Sequence, residues 1–330
     1  MAKCVATARS FGACISHAAV VAIAVFLAVG GVCVAITHFD LRYKMQAAYN
    51  FWATRVRWLN DAACYYIVPG LYVDAEKSGT QMHAHHKQPA TRGVVVFLHG
   101  IDAVGWWQWR NVLETLRWED ALSGYLIYAP TLLERGNTNA VTAAEPVVEQ
   151  IMAILAAHFA DAPADIVLVG TSIGARIAAH VEIGLSNRLT PYRVRKLVFV
   201  SLAGFFGPTQ FAQLPGAAAI MQILGYNEHV IDAATLQHPH DAIMAQWRRA
   251  ATRWNEAHYH FIASEEDEVI PARASLPWPE IDRCTKGLTT KHTVFRGVDH
   301  AGIVHAARDV YIPWIRHALD DAPAEPSAVE

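Results

Sequence analysis

The chain has 330 residues, 53% hydrophobic and 17% charged, with a formal net charge of −3. That much apolar material supports a large core. The near-neutral balance excludes a nucleic-acid binder that works by basic excess, and no charge run marks an acidic or basic tail.

Residues 18–36 read AAVVAIAVFLAVGGVCVAI, nineteen residues without a charge. A helix of that length reaches about 28 Å, close to the hydrocarbon thickness of a bilayer. A secretory signal has a shorter apolar region, so residues 1–40 are read as a tail and one uncleaved transmembrane anchor. Lys3 and Arg9 before the span nearly balance Arg42, Lys44 and Arg55 after it, so the side of the membrane is not fixed. In 41–65, Leu41, Met45, Ala48, Trp52, Val56 and Leu59 recur at helical spacing among Arg42, Lys44, Arg55 and Arg57. This predicts a basic amphipathic helix beside the membrane, or an ordinary helix packed on the following domain. Cys64 and Cys284 could pair only in an oxidising compartment.

A third region, 66–319, alternates strands and helices. A weak edge strand near 79–86 leads in; its His83 and His85 share a face and are read as surface histidines. Val94–His99 is a continuous apolar run, as a strand covered on both faces requires. A helix follows over Trp107–Trp118, a strand over Tyr125–Ala129, and a helix over Thr142–Phe159 with Pro146 in its first turn. Ile166–Val169 is a third strand, followed by a helix from Ile173 to Leu185. Val194–Ser201, His258–Ala263 and His292–Arg296 are further strands, and Ala301–Leu319 a last helix. Repeated strand–helix units argue for an α/β fold with a mostly parallel sheet and helices on both faces. Residues 203–257 are too long for a simple crossover and read as a helical cap insertion. Residues 320–330 read as a disordered tail.

Chemistry in an open α/β sheet sits at the carboxyl ends of the strands. Ser172 follows one strand within Gly170-Thr171-Ser172-Ile173-Gly174, a G-x-S-x-G pentapeptide. Asp267 follows another within SEEDEVIP, and His300 another within GVDH. The glycines allow a sharp strand-to-helix bend that exposes the serine. A hydroxyl is a weak nucleophile until a base takes its proton, which His300 can do with Asp267 orienting it. Glu265 or Glu266 could stand for the acid, and His305 for the base. Asp299, beside His300, is read as a loop carboxylate.

With these residues in hand, 90–318 resembles the α/β-hydrolase family of serine lipases and esterases. His99-Gly100, the GTSIG turn, DEVIP and GVDH match the family's four landmarks. Pro271, four residues after Asp267, favours that residue as the acid, as in the family. The resemblance implies an oxyanion hole from the backbone N–H groups of Ile101 and Ile173, and a Gly105–Trp109 stretch like the family's oxyanion loop and first helix. It implies no metal and no organic cofactor. Ser264 stands where a glycine is usual, Thr171 precedes the nucleophile where a bulkier residue is common, and the loop is HG rather than HGGG. The expected function is a membrane-anchored serine hydrolase acting on acyl lipid esters, with the membrane and the lipid as its partners and no nucleic acid. A thioesterase acting on acyl-protein or acyl-CoA, and an inactive membrane-bound scaffold, are the alternatives. Oligomeric state is not readable from the sequence.

Overall fold

The computed structural model describes residues 82–83 and most of 92–320, leaving out 102, 104, 106–107, 110–111, 114–121, 123, 161, 224 and 279–287. The expected membrane anchor, the amphipathic helix, His85, Cys64, Cys284 and the tail beyond Asp320 therefore lie outside the described residues.

Among the described residues, seven strands form one sheet. They are β1 (Met82–His83), β2 (Gly93–Leu98), β3 (Tyr125–Tyr128), β4 (Ala164–Thr171), β5 (Val194–Leu202), β6 (Ala257–Ser264) and β7 (Leu288–Phe295). Their order is β1-β3-β2-β4-β5-β6-β7, with β1 antiparallel to β3 and all other pairs parallel. The run GVVVFL explains why β2 sits inside the sheet: successive side chains point to opposite faces, and both faces are covered. Val94, Val96 and Leu98 join one apolar layer, while Val95 and Phe97 join the other with Trp109 and Tyr311.

The helices supply those layers. They include α1 (Ala140–His158), α2 (Ile173–Arg188), α3 (Ala217–Ile223), α4 (Glu228–Thr235), α5 (His238–Ala251), α6 (Ala272–Ser275), α7 (Ile303–Ala306) and α8 (Arg308–Leu319). Asn139 starts α1 by accepting a hydrogen bond from the N–H of Val141. Among the described residues α1 is long and apolar enough to cross a membrane. Here its apolar stripe, including Val148, Ile151 and Leu155, is buried in the core beside α2.

Three elements differ from the sequence expectation. β7 begins at Leu288, four residues before the expected His292. Its first half, Leu-Thr-Thr-Lys, lacks an apolar run because β7 is an edge strand and most of its side chains keep partial contact with solvent. The single helix expected over 301–319 is two, α7 and α8, separated at Ala307. Within 203–257, α5 packs against α2 and buries Trp247 among Phe199, Phe206 and Trp278, in the manner of a crossover helix. The part before it, with α3 and α4, lies over the carboxyl edge of the sheet beside Ser172.

Candidate active site

Ser172 sits between β4 and α2 with φ 54° and ψ −125°, a left-handed backbone that a side chain rarely adopts. The surroundings hold it there. Its N–H donates to Leu202 O at 3.0 Å, and its own carbonyl accepts from Ala175 N at 3.1 Å and Phe205 N at 3.2 Å. The flanking glycines have a steric reason. A Cβ on Gly174 would lie 2.3 Å from His99 O, and one on Gly170 would lie 2.5 Å from Ala175 Cα. Only glycine lets α2 start so close to β2 and β4.

His300 reaches this bend from the loop after β7. Its Nε2 lies 3.0 Å from Ser172 Oγ and its Nδ1 lies 2.7 Å from Asp267 Oδ2. The other oxygen, Oδ1, accepts from Val269 N at 2.9 Å and Ile270 N at 2.8 Å. Asp267 is 1% exposed, so its carboxylate is held in one orientation by these three donors. The three residues expected at the sheet edge form one hydrogen-bonded chain, Ser172–His300–Asp267.

The competing residues have other partners. Glu265 pairs with Arg296 at 3.0 Å. Glu266 accepts from Gly297 N at 2.8 Å, and Glu268 from His300 N at 3.0 Å. One carboxylate of the acidic run therefore meets the imidazole, while the others fasten the loop that carries it. Ser264 donates to Val298 O at 2.5 Å, tying β6 to the same loop where a glycine was expected. Asp299 accepts from Gly302 N at 2.6 Å and stays a loop carboxylate. His305 lies within α7, where burial and then the nearby Arg308 lower its pKa to about 4.

Ile101 and Ile173 line one cavity together with Ser172. As the first residue of α2, Ile173 carries an N–H that no preceding helical carbonyl can take. The loop bearing Ile101 is pinned by two side chains, in segments the sequence singled out but with roles it did not give. Gln108 Oε1 accepts from Gly100 N at 2.7 Å. His99, fully buried, accepts at Nε2 from Leu132 N at 2.8 Å, with its Nδ1 2.6 Å from Gly100 O. Burial lowers its pKa to about 4, so it is neutral near pH 7, as an acceptor nitrogen requires. The histidine of the HG pair thus braces the loop through its side chain.

The cavity at Ser172 has a volume of about 220 Å³ and is walled by apolar side chains that follow β5, among them Phe205, Leu214, Met221 and Val230. From Leu197 to Asn227 the chain carries no charged residue. Among the described residues, no group of three His, Cys, Asp or Glu side chains is placed to hold a metal ion.

A hydroxyl, an imidazole and a buried carboxylate in line, at the carboxyl edge of a parallel sheet, define the hydrolase class of α/β proteins. The family model for the alpha/beta hydrolase family matches residues 95–327, and the chain belongs to that family. No curated protein sequence matches it. Similar solved structures include lipase BlEst2 from Bacillus licheniformis, with 12% identity and TM-score 0.46 over 71% of this chain and 94% of that one. Peroxisomal alpha-beta-hydrolase Lpx1 from Saccharomyces cerevisiae has 14% identity and TM-score 0.46, over 76% and 83%. Phospholipase PlaB from Legionella pneumophila has 13% identity and TM-score 0.49, over 70% and 58%.

Proposed function

We propose that the protein is a serine hydrolase that cleaves carboxylic esters of acyl lipids while anchored to a membrane by residues 18–36. The observation that carries the reaction type is the Ser172–His300–Asp267 hydrogen-bonded chain. Ser172 Oγ attacks the ester carbonyl as His300 Nε2 takes its proton, and Asp267 stabilises the resulting imidazolium. The oxyanion is met by the N–H groups of Ile101 and Ile173. The imidazolium then gives its proton to the departing alcohol, leaving Ser172 acylated. Water, deprotonated by His300, attacks the acyl-enzyme and releases the acid. The uncharged apolar cavity beside Ser172 suits an acyl chain, and an anchored domain would meet such chains at a lipid surface.

The experiment is a panel of esters and thioesters of rising acyl length, assayed with wild type and Ser172→Ala. Turnover of medium- or long-chain oxygen esters, lost in Ser172→Ala, is expected. Preference for acetyl esters counts against a lipid substrate, and preference for thioesters moves the assignment to a thioesterase. No turnover of any member by the folded wild type favours the scaffold.

A further inference from the structure

Arg176 lies on α2, one helical turn beyond Ser172, and is 7% exposed. Its contacts among the described residues are to neutral groups. Nη1 donates to His240 Nδ1 at 2.7 Å, Nη2 donates to Pro239 O at 3.1 Å, and Cζ stands 5.9 Å from the Phe205 ring centre. His240 is fully buried and its Nε2 lies 2.6 Å from Ala233 O, so Nε2 carries the proton and Nδ1 accepts. Burial lowers the guanidinium to about 10, which leaves it charged near pH 7. No carboxylate pairs with it among the described residues. A buried charge is costly unless something of opposite sign meets it.

The side chain borders a second cavity, of about 350 Å³, separate in character from the apolar one. His180, one turn further along α2, lines it and has no hydrogen-bond partner among the described residues. Gln246, His229 and His238 line it from exposed positions, as does Asp232, the one lining carboxylate among the described residues. The first residues of α1 and of α5, Ala140 and His238, also reach it. Helix N-termini add positive potential to a site that already holds a guanidinium. Ile173 and Val230 line both cavities, so this one backs directly onto the Ser172 cavity.

We propose that this second cavity binds a small oxyanion, a phosphate or a carboxylate, as the counter-ion of Arg176. The guanidinium presents planar donors suited to such a group. The anion is either a free ion or the phosphate of a lipid head group.

The test titrates the full chain with inorganic phosphate and with acetate at constant ionic strength, read by thermal melting and calorimetry. Wild type is expected to show a saturable rise in Tm with at least one of the two. Gln246→Glu places a carboxylate in the cavity from an exposed helical position, and is expected to weaken binding about tenfold or more while raising Tm without ligand. Arg176→Met is expected to abolish binding; should it fail to fold, Gln246→Glu carries the test alone. Dihexanoylphosphatidic acid below its micelle concentration separates the sources. Binding about tenfold tighter than inorganic phosphate, and sensitive to Gln246→Glu, assigns the site to a head group; equal or weaker binding assigns it to a free ion. The proposal is overturned if neither anion gives a saturable effect, or if Gln246→Glu responds as wild type does.

Discussion

Ser172 carries a backbone cost that the proposed nucleophilic role would explain. A positive φ at a non-glycine residue costs on the order of 1–3 kcal/mol and persists only where its surroundings over-determine it, here through Leu202, Ala175 and Phe205. Two variants that both lack the hydroxyl isolate that strain. Ser172→Gly is expected to be more stable than Ser172→Ala by about 1 kcal/mol in urea unfolding, because glycine accepts the bend freely. Equal stability of the two would mean that the bend stores no strain. Asp267 acts on the imidazole through its hydrogen bond. Asp267→Asn preserves the shape but favours the wrong tautomer, so kcat on a short ester should fall by about 10⁴ with the fold intact. A loss below tenfold would hand the acid's role to another group.

At the scale of elements, α2 does more than begin at Ser172. Its Glu182 is fully buried and accepts from Trp247 Nε1 at 2.6 Å, Trp254 Nε1 at 3.0 Å and Tyr259 OH at 2.5 Å. One carboxylate therefore joins α2 to α5, to the turn after it and to β6. Burial raises its pKa from 4.5 to about 7, against the opposing pull of the three donors. The folded state then holds a proton that the unfolded chain has already lost. Stability from this group is full below pH 4.5 and falls as pH rises through about 7. Glu182→Gln removes that titration but turns an amide NH2 toward N–H donors. It is expected to cost about 1–3 kcal/mol near pH 5 and to flatten the decline between pH 5 and 8, as measured by urea midpoints. An unchanged pH slope would show that Glu182 does not titrate in this range.

At the scale of the whole molecule, the parts legible in the sequence were those with a local physical signature. Apolar runs marked the buried strands, and the positions just after them marked Ser172, Asp267 and His300. β7 was half legible because an edge strand with solvent on one side needs no apolar run. The break at Ala307 had no glycine or proline to announce it. The work of His99, Gln108 and the three glutamates around Asp267 was not legible, because each acts on a partner distant in sequence or on backbone alone. Arg176 read as one more helix residue; only the packing of α5 and α4 around it reveals a buried cation that meets no carboxylate among the described residues. Joining these scales is a single claim, that Ser172 is an activated nucleophile. The most direct test is labelling of the full chain by a fluorophosphonate probe, with the adduct located by mass spectrometry. One adduct is expected, on Ser172, absent from Ser172→Ala and strongly reduced in His300→Ala. A folded wild type that takes no label, or takes it on another serine, would contradict it.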